Sequence, residues 1–294
     1  MGTNDDGKAL ARREIEEFEG RGNLALAGEL FGSGYTLHFP GFPALDRTGH
    51  EQVIGAFREA FPDLAISVAE QVASADRVAN HWVAHGTHKG PFQSIPATGK
   101  AVRITGNNVM RLEGGRIVEL WGQLDAVGLL AQLGVIPEPP PEPPPEVLVG
   151  GGRPRGGGAE VVRRFASKFN EGRLDAIADE YADSYVLDFP GGPTGRGKEG
   201  LRRAAAEFRA AFPDLHFSTD DLFEEDDRVA WRWTMTGTHR GPLGPFPATG
   251  RSVRLPGISL FQLQGGLIAR DRVRADMAGL LVQIGAIPEP ANRS

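Results

Sequence analysis

The 294-residue sequence contains no cysteine. That excludes disulfides, thiolate nucleophiles and every cysteine-based metal site. It also lacks an excess of basic charge: 32 Lys and Arg stand against 38 Asp and Glu, a formal net charge of −6. A nucleic-acid-binding surface needs a basic face to release counterions, so no nucleic-acid partner is expected. No apolar run approaches the ~20 residues that cross a bilayer. The stretch MGTNDDGKALARREIEEFEG lacks the apolar core of a signal peptide, and Asp6 breaks the myristoylation pattern. No membrane partner is expected, and the expected location is cytoplasmic. The seven histidines are scattered without ligand spacing, so no metal site is expected.

What the sequence does contain is a duplication. GTHKGPFQSIPATGK at 86–100 returns as GTHRGPLGPFPATGR at 237–251. LHFPG at 37–41 matches LDFPG at 187–191, AFPDL at 60–64 recurs at 211–215, and GVIPEP at 134–139 matches GAIPEP at 285–290. An ordered repeat with a period of about 151 residues is a duplicated domain, because solenoid units are only about 20–50 residues long. The domains read from it are 1–136 and 159–294, joined by a linker over 137–158. The proline part of that linker predicts stiff polyproline II, and its glycine part a flexible tether. With 40% hydrophobic residues, each half can bury a core.

The second copy illustrates the local pattern. Val162, Phe165, Phe169, Ile177 and Tyr181 recur at helical spacing, broken at Gly172. YVLDFP reads as a short strand, and KEGLRRAAAEFRAAF as a helix ended by Pro213. In RVAWRWTMTGTH, apolar Trp231, Trp233 and Met235 alternate with Arg232, Thr234 and Thr236, a half-buried antiparallel strand. RSVRLPGISLFQL and LIARDRVRA form a hairpin across Gly265-Gly266, and DMAGLLVQIG closes the unit with a helix. Helices before an antiparallel sheet give an α+β class. A strongly curved sheet on helices leaves a cavity suited to an apolar ligand and a few polar contacts.

The string GTHxGxFxxxPATGKxVxxxGxxxxRxxxGRIVExW, followed by DxxGLLxQLG, resembles the SnoaL-like polyketide cyclases of the nuclear-transport-factor-2-like superfamily. The resemblance covers most of 10–137 and of 159–290. It implies two tandem cone-shaped α+β barrels, each a curved antiparallel sheet packed on helices around an internal cavity. It also implies ring closure of a small, apolar polyketide-like substrate without cofactor. Family cyclases run an intramolecular aldol reaction with an acidic residue on the last strand. Burial raises that carboxyl's pKa, and a donor meets the enolate. Both copies depart from this pattern. Gly122 in VELWGQLDA and Val273 in ARDRVRADM stand where the family has its Asp. Asn108 and Ser259 stand where the preceding strand often offers a histidine to the pocket.

Strand alternation selects the remaining candidates. If Gly122 and Val273 face the cavity, so do Leu120 and Asp271, which makes Asp271 a candidate acid/base one pleat from the family position. The other reading of Asp271 is a solvated residue in the charged stretch RDRVR. His38 and Asp188 end the first strand of each copy, as pocket residues or as turn residues bonding their own backbone. His88 and His239 share a face with Trp82, Trp231 and Trp233, either to shuttle a proton or to hold the following loop. His81 and His85, on the opposite face, suit an interface. Trp82, Trp121, Trp231 and Trp233 are candidates for cavity wall or core. Asn108 and Ser259 are candidate donors to a substrate carbonyl. Asp125 and Asp276 precede the last helix, as N-caps or as groups at the cavity rim. Gly99 and Gly250, in PATG, mark a turn rather than a phosphate loop.

Family members commonly pair through their sheets, so the fused chain is expected to form an intrachain pseudo-dimer and to be monomeric overall. Three functions are open at this point. One is a cofactor-free cyclase or isomerase, working by shape-directed pericyclic or conjugate-addition closure where the usual Asp is missing. Another is a hydrolase or dehydratase using Asp271 and His239. The third is a non-catalytic protein that carries an apolar intermediate.

Overall fold

A computed structural model describes residues 3–137, 157–190 and 196–287. The chain forms two compact units, Met1–Pro143 and Pro144–Ser294. The linker read over 137–158 falls, except at its ends, outside the described residues.

The first unit opens with α1 (Asn4–Arg13), set by a capping box between Thr3 and Asp6. Residues Glu14–Glu19 continue it as a single π-helical turn. A one-turn helix α2 (Ala27–Leu30) leads into β1 (Phe31–His38), and Asp46 caps α3 (Arg47–Ala60) by accepting from the Gly49 amide. Strands β2 (Ala65–Ser74), β3 (Arg77–Thr87), β4 (Ala101–Glu113) and β5 (Arg116–Leu124) follow, and α4 (Ala126–Leu133) closes the unit. The second unit repeats the plan with α5 (Gly158–Asn170), α6 (Leu174–Ile177), β6 (Tyr181–Asp188), α7 (Gly197–Ala211), β7 (His216–Glu225), β8 (Arg228–Thr238), β9 (Ser252–Gln264), β10 (Leu267–Ala275) and α8 (Met277–Ile284).

The strand orders are β1-β5-β4-β3-β2 and β6-β10-β9-β8-β7. Each is therefore an open five-stranded sheet in the α+β class expected. The sheets are mixed rather than antiparallel throughout. β1 runs parallel to β5, and β6 to β10, because a helix and a whole meander separate each pair in the chain. Strands β2 and β7 carry no clear alternation in sequence. HFSTDDLFEE is mostly polar because β7 lies at the sheet edge, where one side faces no neighbouring strand. Register shifts at Val68/Glu70 and Arg111/Leu112 mark bulges that bend the first sheet. Both long hairpins turn on glycine pairs in the left-handed region, with φ of 58° and 75° at Gly114 and Gly115, and 60° and 84° at Gly265 and Gly266. That is the hairpin turn whose twist suits the strands.

Two apolar clusters form the core of the first unit. One gathers Ile15, Phe18, Leu30, Phe31, Leu37, Met110 and Leu120 under α1 and β1. The other gathers Phe61, Leu64, Ala84, Ile104, Leu129 and Leu133 near α4. Ile66 and Trp82 pack against both, and a cavity opens where the two clusters part.

Candidate active site

The sheet register builds the cavity floor of the first unit. Trp82, Gly106 and Leu124 lie side by side across β3, β4 and β5, as do Asn80, Asn108 and Gly122. The Trp82 ring needs Gly106 beneath it: a Cβ there would stand 2.1 Å from ring atom Cζ2. The cavity, partly open to solvent, lies between mainly apolar walls from Leu37, Phe39, Ile54, Phe57, Leu64, Ile66, Trp82, Ile104 and Leu120. Glu19, His50 and Asn108 are the polar side chains among its lining residues.

Asn108 is held by a relay of amides. Gln71 Nε2 donates to Asn80 Oδ1 at 2.9 Å, and Asn80 Nδ2 donates to Asn108 Oδ1 at 2.7 Å. This order occupies the Asn108 carbonyl and leaves its amide nitrogen as the end free to donate to a ligand.

Glu19 and His50 belong to a buried cluster that the sequence reading did not find. His50 stands in the first turn of α3, with its ring against Phe18, Phe31 and Tyr35. Its Nδ1 is 3.0 Å from Tyr35 Oη, and its Nε2 is 3.1 Å from Glu19 Oε1 and 3.9 Å from Glu14 Oε1. Glu14 is fully buried, and no N–H or hydroxyl reaches either of its oxygens among the described residues. Burial, followed by the Glu19 charge, raises the Glu14 carboxyl well above the ordinary carboxylate range. Burial, then Glu14 and Glu19, raises the Tyr35 hydroxyl in the same way. One proton arrangement suits the chain from Tyr35 to Glu19: Tyr35 O–H donates to His50 Nδ1, and His50 Nε2–H donates to Glu19 Oε1. The Glu14, Glu19 and His50 atoms lie within 4.8 Å of one another, close enough to share one proton or one cation, although their sequence spacing resembles no metal motif.

The π-helical turn brings Glu19 inside. Gly7 and Gly158 are equivalent, packing on Val78 and Leu112 in one unit and on Val229 and Leu263 in the other. Gly20 and Asn170 are also equivalent, since their carbonyls accept from Arg58 and Arg209. Thirteen residues separate the first pair members from the second in unit one and twelve in unit two, so the first unit holds one extra residue. The wide turn absorbs it, and both Phe18 and Glu19 face inward where the regular helix α5 presents Phe169. Such turns often mark functional sites. A sequence signal was present: Ala11, Glu14, Ile15 and Phe18 follow the i, i+3, i+4, i+7 rule, which places a carboxylate in an apolar stripe.

The second unit is built differently at these places. By repeat register, Phe165 replaces Glu14, Leu201 replaces His50 and Trp231 replaces Asn80. Phe165, Trp231 and Phe261 pack together, with ring centroids 6.0 Å to 6.5 Å apart. Trp231 donates to Thr219 Oγ1, and Trp233 donates to Ser259 Oγ at 3.2 Å. Asp271 lies on the same inner face as Ser259 and is 5% exposed, not solvated. Burial drives its carboxyl well above the ordinary range, partly opposed by a hydrogen bond from Ser259.

The other candidates lie elsewhere. His38 is on the outer face of the sheet, stacked on Trp121 at 5.4 Å and 2.9 Å from Glu119, because β1 pairs His38 with Trp121 in register. Asp188, its counterpart, forms an ion pair with Arg274 at 2.9 Å. His88 and His239 are fully buried and accept or donate at Thr98 and Thr249 through Nδ1, while their backbones bond Gly99 and Gly250. They pin the PATG loops, and burial lowers their pKa, which favours neutral rings. Asp125 and Asp276 cap α4 and α8, accepting from Gly128 and Gly279. His81 bonds Asn107 across β3 and β4 on the outer face.

A family model described as SnoaL-like polyketide cyclase matches residues 9–133 and 159–284. The chain belongs to the SnoaL-like polyketide cyclase family. The aklanonic acid methyl ester cyclase DnrD of Streptomyces peucetius is 29% identical to the chain over 131 residues, covering 43% of this chain and 89% of that protein. The aklanonic acid methyl ester cyclase DauD of Streptomyces sp. (strain C5) is also 29% identical, covering 43% of this chain and 80% of its own. The solved structure of IdmH from Streptomyces antibioticus is 34% identical, with a TM-score of 0.40 and coverage of 44% of this chain and 98% of that one. No helix among the described residues is long and apolar enough to cross a membrane.

Proposed function

We propose that the first unit closes a ring on a polyketide-like intermediate without cofactor, inside its apolar cavity. The observation that carries this reading is the composition of that cavity. Its walls are mainly hydrocarbon and aromatic, while Asn108 offers an oriented amide donor and Glu19 with His50 offers a titratable pair. Carbon–carbon ring closure through an enolate needs such a set: a group that moves a proton, a donor for the oxyanion, and walls that fold the chain. The similarity to two aklanonic acid methyl ester cyclases supports the substrate class.

The test incubates the full chain with aklanonic acid methyl ester and follows products by mass and chromatography. A ring-closed isomer of unchanged mass is the expected product. Ala84→Trp, which fills the cavity from β3, is expected to abolish it. Binding with no product would favour the carrier reading instead.

A hydrolase or dehydratase pairing Asp271 with His239 has less support, since Asp271 bonds Ser259 while His239 bonds Thr249. Intrachain pairing of the two units, and a cytoplasmic location, rest on the duplication and the sequence alone. Small-angle scattering from two separated lobes would overturn the pairing.

A further inference from the structure

We infer that Glu19 is the general acid/base of the first-unit cavity, replacing the carboxylate the family places at position 122, with His50 and Tyr35 as its positioning residues. The inference rests on the cyclisation reading of that cavity.

Three observations converge on Glu19. It lines the cavity, whereas Glu14 behind it is sealed and has no donor other than its own proton. Its Oε1 is committed to His50, which leaves the second oxygen for a ligand. His50 in turn is fixed on three sides, by Tyr35 at Nδ1, by Phe18 and Phe31 around its ring, and by the capped start of α3. A carboxylate held this way cannot turn away from the cavity without breaking its part-buried hydrogen bond to His50. The extra residue of the π-helical turn is what admits it, and the second unit, which lacks that residue, has no carboxylate there.

The chemistry balances without another reactant. Glu19 takes a proton from a carbon between two carbonyls, and the electron pair passes into an enolate whose oxygen accepts from Asn108 Nδ2. The enolate carbon forms a bond to a second carbonyl carbon, whose π electrons move to oxygen. That alkoxide recovers the proton from Glu19, so product and substrate are isomers.

The test uses 5-nitrobenzisoxazole, a small aromatic probe that a base opens by removing its ring C–H proton. The N–O bond breaks and a coloured cyanophenolate is released, so the reaction reports proton abstraction by a base, and the Glu19 variants report which base. Glu19→Gln, close in shape to the wild type, should lower the rate by about 100-fold or more. Glu19→Asp, which keeps a withdrawn carboxylate, should lower it less. His50→Phe should reduce kcat with KM little changed. Glu29→Gln, an exposed carboxylate paired with Arg13, should leave the rate unchanged. Thermal unfolding of each variant confirms that it folds. Equal rates in wild type and folded Glu19→Gln, or a wild-type chain that does not open the probe, would overturn the assignment. So would a rate lost in EDTA and restored by Zn²⁺, which would give the same three atoms to a cation. A chain that opens the probe through Glu19 but closes no polyketide ring keeps this assignment and refutes the cyclisation reading. A ring-closing chain indifferent to Glu19→Gln does the reverse.

Discussion

Single residues set the shape and the proton inventory of the two interiors. Gly106 is required by the ring above it: an added Cβ would meet Trp82 at 2.1 Å and the Gln123 carbonyl at 2.8 Å. Gly106→Ala should therefore destabilise the protein by about 1–3 kcal/mol, by overpacking against a wall that includes backbone. Gly55, exposed in the middle of α3 with nothing within 4 Å of an added Cβ, should respond oppositely. Gly55→Ala should stabilise by about 0.5–1 kcal/mol. Urea unfolding of the pair measures both. Asp271 gives a pH prediction. Burial keeps its carboxyl protonated to higher pH in the folded chain than in the unfolded one. The folded state thus holds an extra proton between the unfolded value, near 4, and the raised folded one. Its contribution to stability is present at low pH and falls as pH rises through that window. Asp271→Asn removes the slope, so unfolding midpoints of variant minus wild type should be larger at pH 7 than at pH 3.

At the scale of elements, the long strands were legible and the turn that carries Glu19 was not. β8 declares itself through Trp231, Trp233 and Met235, and both hairpins through paired glycines, because alternation and turn chemistry are local. The same alternation placed Asp271 and Val273 on the inner face. It did not give the facing of His38, which depends on a parallel partner far along the chain. Glu14, Glu19 and His50 escaped notice because no spacing relates residues from two helices that meet only on folding. Their assembly depends on one surplus residue in a helix, a quantity visible only when the two copies are superposed. Deleting Glu17 should close the turn to regular α-helix, as in α5, and withdraw Glu19 from the cavity. A crystal structure should then show His50 without its carboxylate partner, and the rate on 5-nitrobenzisoxazole should fall as in Glu19→Gln.

At the scale of the molecule, duplication has produced two interiors of opposite character from one plan. The first unit keeps a polar-studded cavity, and the second fills equivalent places with Phe165, Leu201 and Trp231. Asp271, Tyr181 and Tyr185 form the polar remnant there, all deeply buried, with both hydroxyls raised by burial. Calorimetric titration with aklanonic acid methyl ester should therefore give one site per chain rather than two. Ala84→Trp should remove that site.

Gly122 and Phe39 carry a consequence for where an acid can stand in this cavity. A Cβ at Gly122 would stand 3.1 Å from the Phe39 ring, tighter than an ordinary contact, so a side chain there requires Phe39 to shift. An Asp placed at 122 would set a carboxylate against the Phe39 ring. A carboxylate reaches this cavity from another direction, on a helix that has one residue to spare.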